Sequence, residues 1–181
     1  MQVFISYLLL FNQITMNINH KEFETCLGKE VSEVNKILTL SFSNIHTSNK
    51  QLYFAFLEED KYFYQQSYKA ISLILNNKKK AISLTIHFNQ LVNNQFYKNL
   101  QAAYGAPNSI QVIEQEKRIA KTSVNDTLFK QELSKNIVTT RKGSLEENPL
   151  FVMWKSETIS IEILNKYKQS TSELTFKAID Y

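Results

Sequence analysis

The groups able to do chemistry in this chain are few and scattered. There are three histidines, His20, His46 and His87, and one cysteine, Cys26. No two histidines stand at the spacing that sets metal ligands on one helix face, and Cys26 has no second thiol to share a zinc ion. The residues therefore offer no metal set. A lone cysteine also excludes an intramolecular disulfide, which fits a reducing cytoplasm. Nothing beside it in sequence lowers a thiol pKa, so Cys26 reads as a buried or neutral thiol.

His87 is the best lone candidate for a general base. It falls on the polar side of an alternating segment, but a base needs an orienting partner, and none can be named from sequence. Only Asp60, Asp126 and Asp180 supply aspartate, and no G-x-S-x-G elbow is present. Glu58-Glu59-Asp60 gathers three carboxylates, a pattern that at a turn serves solubility. With three glycines in the chain, neither G-x-x-x-x-G-K nor G-x-G-x-x-G occurs. No catalytic residue, cofactor site or metal site is assigned. The remaining candidates are aromatic. Tyr53, Tyr62, Tyr64, Tyr68 and Trp154 are residue types enriched at protein interfaces, and they are the expected contact residues.

Composition narrows the partner class. The net charge is +4, and Arg118 and Arg141 are the only arginines. Bidentate reading of bases or phosphates is thus poorly supplied, and nucleic acid is not the expected partner. Twelve Phe and nine Tyr, with 43% hydrophobic residues, are enough for a buried core. The chain divides into an apolar N-terminal segment, 1–16, and one compact domain, 17–181, with halves of about 17–89 and 90–181. The run Val3–Phe11 is shorter than the ~20 residues that span a bilayer, and no basic residue precedes Lys21. No stable transmembrane anchor is expected. The segment reads as a packed element, a degenerate export signal, or a stretch ahead of a true start at Met16.

Periodicity supplies the elements. Lys29–Leu40 has Val31, Val34, Ile37 and Leu38 at helical spacing behind Gly28. Ser41–Lys50 reads as a loop. Gln51–Leu57 is a strand apolar on both sides, followed by a charged turn at Glu58–Lys61. Ala70–Phe88 alternates strictly on either side of Asn76–Lys80 and predicts a β-hairpin with a lysine-rich, solvated tip. Val92, Phe96, Leu100 and Ala103 form one helical stripe that ends at Gly105 and Pro107. A strand is expected near Ile110–Ile113 and a helix over 126–136, capped by Asn125. A loop over Arg141–Pro149 follows, then strands at Phe151–Trp154, Thr158–Leu164 and Glu173–Ile179.

The two hairpin segments resemble each other. Without a gap, Ile71–Phe88 lies against Ile159–Phe176, and Ile71, Ser72, Asn77, Lys78, Lys80 and Phe88 meet identical residues. The reading is an α+β fold: antiparallel sheet with short helices on one face, in a tandem duplication of a helix-hairpin unit. One hairpin turns Ser72, Ser83, Thr85 and His87 away from the helices. The other turns away Ser160, Glu162, Glu173, Thr175 and Lys177.

LGKEVSEVNKIL resembles the helix of small BLIP-like and BamE-like bacterial domains. YGAP is similar to their aromatic-or-Leu-Gly-x-Pro stop. ISLILNNKKKAISLTIHF resembles the hairpin that follows, which is also seen in immunity-protein-like families. The resemblance covers about half of the chain and leaves out 110–150. It implies a tandem helix-plus-sheet domain that binds another protein and carries no catalytic residues. The expected function is a non-enzymatic protein-binding module of immunity or inhibitor type, placed in the cytoplasm. Two alternatives stay open. One is an envelope-associated accessory protein that uses residues 1–16. The other is an enzyme without a linear motif, which would gather His87 and acidic residues in a deep pocket.

Overall fold

The computed structural model describes residues 19–47, 50–126 and 129–179. The choice among the three readings of residues 1–16 lies outside them. Three helices are described: α1 (His20–Cys26), α2 (Val31–Leu38) and α3 (Asn94–Tyr104). Nine strands accompany them: β1 (Ser43–Thr47), β2 (Lys50–Phe63), β3 (Gln66–Leu75), β4 (Ala81–Phe88), β5 (Ser109–Asp126), β6 (Phe129–Lys142), β7 (Phe151–Lys155), β8 (Ile159–Lys166) and β9 (Thr171–Ala178). The strands form one antiparallel sheet in the order β1-β2-β3-β4-β9-β8-β7-β5-β6. The chain is α+β, with an antiparallel sheet, as its periodicity implies.

Local signals account for the helix ends. The Asn93 side chain accepts the Phe96 N–H at 2.9 Å at the start of α3, and Glu22 accepts the Asn19 N–H at 3.1 Å at the start of α1. Gly105 stops α3 with φ of 78°, a conformation open to glycine at little cost. That turn presents the Gly105 carbonyl to the Trp154 indole N–H at 2.9 Å.

Strict alternation sends one side of every central strand toward the helices. Ile71 and Leu73 of β3 pair with Ile86 and Leu84 of β4, and all four are buried. Leu84 and Ile86 face Phe176 and Leu174 of β9, which in turn face Ile161 and Ile163 of β8. The helices cross the join between β4 and β9. Phe23 of α1 stacks on Phe176 with centroids 5.5 Å apart. Phe96 of α3 meets Phe88 of β4 edge-on at 5.3 Å. Each half therefore buries a helix residue on the other half's strands, and the two halves share one core.

The order of elements repeats. Helix and meander β1-β2-β3-β4 are followed by helix and meander β5-β7-β8-β9, with β6 folded back from β5. Thr85 pairs with Thr175, and the pairs Leu84–Phe176 and Ile86–Leu174 flank it symmetrically. This symmetry places Ile71 on Ile161, two positions on from the ungapped match to Ile159. The repeated order is a fact of topology; common descent of the halves stays a proposal.

Three stretches differ from expectation. Residues within the loop expected at Ser41–Lys50 form β1, because Ser43–Thr47 can complete hydrogen bonds against Lys50–Phe54. The charged turn expected at Glu58–Lys61 lies inside β2. A register shift between Phe56 and Lys61 absorbs it, and the chain reverses instead at Tyr64–Gln65, with φ of 46° and 66°. Where a helix is expected over 126–136, the described residues are strand instead. β5 and β6 pair from Gln111–Lys142 out to Asp126–Phe129, so a ladder takes the backbone groups a helix would have used. β5 pairs with β7 only over Ser109–Gln111, so among the described residues the rest of the β5–β6 ribbon has no third strand beside it.

A shared core sets the stability expectation. Phe176→Ala should destabilise the fold by about 3–5 kcal/mol in urea denaturation, whereas Ile113→Ser, at a residue 38% exposed, should stay within about 0.5 kcal/mol.

Candidate functional site

The residues that turn inward at β4 and β9 fix what turns outward. With Leu84, Ile86 and Phe88 in the core, Ser83, Thr85 and His87 project from the helix-free face. On β9, Glu173, Thr175 and Lys177 do the same. Sequence reading placed these on separate polar faces. The pairing of β4 with β9 makes them one surface and sets His87 directly opposite Glu173.

A hydrogen-bonded chain crosses this surface. Ser72 Oγ of β3 lies 2.9 Å from His87 Nε2, and His87 Nδ1 lies 3.1 Å from Glu173 Oε1. Lys166 Nζ, at the end of β8, holds the same carboxylate oxygen at 2.5 Å. A carboxylate only accepts, so neutral His87 carries its proton on Nδ1 and leaves Nε2 to accept from the Ser72 hydroxyl. Ser72 is 8% exposed, while the His87 and Glu173 side chains are 28% and 24% exposed. The Phe54 ring of β2 stacks against the imidazole at 5.7 Å. Beside the chain, the Thr85 and Thr175 hydroxyls share a hydrogen bond of 2.9 Å.

The charge balance is visible in Glu173. The His87 hydrogen bond, then the Lys166 ammonium, hold its carboxyl at about 2, below the ordinary 4.5, although partial burial works the other way. His87 now has the orienting partner that sequence could not name. The arrangement has a nucleophile, a base and an orienter in order. It stands on the helix-free sheet face, with the His87 and Glu173 side chains partly exposed. Ser72 lies in an interior strand whose amides belong to the ladder, so donors for a developing oxyanion must be side chains.

The expected interface tyrosines and Trp154 do not come together. Tyr68 and Trp154 are in the core, at 0% and 3% exposure, because their strand positions point at the helices. Burial takes both off the surface. Tyr53 lies opposite Leu73 on the helix side, and Tyr64 sits in the β2–β3 turn with its hydroxyl 2.9 Å from His20 Nδ1. Tyr62 is 38% exposed and alone among the five on the open face. The aromatics that meet on the open face are instead the exposed Phe56 and the half-buried Phe54, stacked at 5.7 Å. Alternation put them opposite Tyr53 and Ala55 but gave no means to choose which side faced water.

The other chemical candidates are accounted for locally. The Lys78–Lys80 run lies at the hairpin tip, where the Asn76 side chain accepts two of its amides and Lys80 pairs with Glu30 at 3.1 Å. Asp60 pairs with Lys69 at 3.4 Å. Cys26 is buried, and burial, aided by Glu22, pushes its thiol up to about 12. A groove of about 640 Å³ lined by His20, Tyr64, Gln65 and Asn99 lies beside α1 and holds no nucleophile–base pair among its lining residues. No group of three His, Cys, Asp or Glu able to hold a metal occurs among the described residues. Likewise, no helix among them is long and apolar enough to cross a membrane. No protein-family model, curated protein or solved structure matches the chain.

Glu173 gives a pH expectation with a definite sign. Its folded value lies below the unfolded one, so its contribution is full above about pH 4.5 and is lost as pH falls toward about 2. Denaturation curves taken across that window should show wild-type stability falling and Glu173→Gln losing less of it.

Proposed function

We propose that the protein is a binding module whose principal role is to hold another protein against the helix-free face of its sheet. The observation that supports this reading is an uncovered apolar strip on that face. Phe56 is 75% exposed and Ile45 is 40% exposed, and the register sets them on the same side as Leu52, Phe54 and Ile74. Solvating such a strip is costly, and contiguous exposed apolar surface rimmed by polar groups is characteristic of contact sites. The polar rim here is the row of Ser72, Thr85, His87, Glu173 and Thr175, with its hydrogen bonds already satisfied. Such a row adds complementarity without leaving a buried charge unpaired.

An immunity or inhibitor role belongs to this reading. A rigid sheet face offers a preformed contact surface, and a preformed surface loses little conformational entropy on binding. The reading also places the protein in a reducing compartment, the cytoplasm, since its one thiol is buried and unpaired.

The test is affinity capture from native cells and with the product of the adjoining reading frame. It uses wild type, Phe56→Glu, and Lys79→Glu at the distant hairpin tip. The expected outcome is a stoichiometric partner held by wild type and Lys79→Glu, with affinity for Phe56→Glu lower by about tenfold or more, the scale of a lost central aromatic contact. Recovery of no stoichiometric partner, or of one held equally by Phe56→Glu, contradicts the reading.

A further inference from the structure

We propose that Ser72 is an activated nucleophile, with His87 as its base and Glu173 as the positioning residue, and that it accepts acyl groups from small activated esters. This goes beyond the binding role and rests on the geometry within the polar row, whereas the binding role rests on the exposed apolar strip beside it. The two contacts that define such a relay are both within hydrogen-bond reach, 2.9 Å from Ser72 Oγ to His87 Nε2 and 3.1 Å from His87 Nδ1 to Glu173 Oε1. Each bond uses the nitrogen that the chemistry requires. Lys166 Nζ holds the same Oε1 of Glu173, so the carboxylate has a second reason to stay charged and in place.

Thr85 supplies the side-chain donor that the strand backbone cannot. It pairs with Ser72 across the β3–β4 ladder, and its oxygen shares a hydrogen bond with Thr175. When Thr175 is the donor in that bond, the Thr85 proton is free to point at a developing oxyanion over Ser72. Phe54, opposite Ser72 on β2 and stacked on the imidazole, offers an apolar wall. The acyl group that suits this setting is a hydrocarbon or an aryl ring lying flat on Phe54.

The step balances without an added reactant. Ser72 Oγ attacks the ester carbonyl, the Oγ–C bond forms, and the hydroxyl proton passes to His87 Nε2. The bond to the leaving alcohol then breaks, and His87 returns that proton to the departing oxygen. Water follows the same route to release the acid and restore the Ser72 hydroxyl.

The experiment treats the full chain with a fluorophosphonate probe, on which Oγ displaces fluoride and forms a stable Ser–O–P bond. Labelling is mapped by peptide mass spectrometry. The expected result is one adduct on Ser72, absent from Ser72→Ala. His87→Ala should label about 100-fold more slowly, with the rate partly restored by free imidazole. Thr85→Val should label about tenfold more slowly, as befits the loss of a single donor on an open face. Glu173→Gln should slow labelling and displace its pH profile, which a purely structural contact would not do. No adduct on Ser72 of the native protein, or labelling of His87→Ala at the wild-type rate, overturns the proposal. The first of these needs no variant, so it holds even where a substitution unfolds the chain. Loss of the labelling would leave the Phe56-dependent binding untouched, so the two readings fail separately.

Discussion

Six residue pairs between β4 and β9 carry the rest of the structure. From Ser83–Lys177 to Phe88–Ser172, this single antiparallel ladder joins a four-stranded first half to a five-stranded second half. Its inward side brings Leu84, Ile86, Leu174 and Phe176 together, and these are the residues that α1 and α3 cover. Its outward side brings His87 to Glu173. Because side chains alternate with a period of two, slipping the ladder by one residue would put the core residues of one strand in water and break the polar row at once. The apolar gain on one face thus fixes the hydrogen bonds on the other.

The helices make that ladder hard to open. Phe23 comes from the first half and stacks on a strand of the second, while Phe96 does the reverse. A buried polar network adds a further tie. Asn165 of β8 donates to the Tyr97 hydroxyl of α3 at 2.6 Å, and Ser172 of β9 accepts the Val92 N–H just ahead of that helix at 3.1 Å. These bonds satisfy groups that burial would otherwise leave unpaired at a cost of roughly 1–3 kcal/mol each. They leave α3 little freedom to shift across the sheet.

Much of this arrangement was legible in the residues. The 70–88 hairpin, the helix read over 90–104 and formed over Asn94–Tyr104, and the last three strands follow from alternation, helical spacing and the Gly105 stop, all local signals. The outward position of Ser72, Thr85 and His87 followed as well. What local signals cannot carry is which strands become neighbours, so the meeting of His87 with Glu173, 86 residues later, was hidden. The same limit misplaced the aromatics. Tyr68 and Trp154 have interface-like side chains, yet strand parity turns them toward the helices, and Phe54 and Phe56, which meet on the open face, lie on a strand apolar on both sides. The 126–136 stretch was lost for a related reason. Asn125 is a fair helix cap in isolation, but a ladder with a strand already in place outweighs a cap worth about 1 kcal/mol.

The central claim is that the β4–β9 ladder makes two repeated halves one cooperative unit. Native-state hydrogen exchange tests it most directly. Amides in β3 and β4 and those in β8 and β9 should open together, with one free energy and one denaturant dependence equal to those of global unfolding. Exchange of one hairpin at a clearly lower free energy, while the other stays protected, would contradict the account.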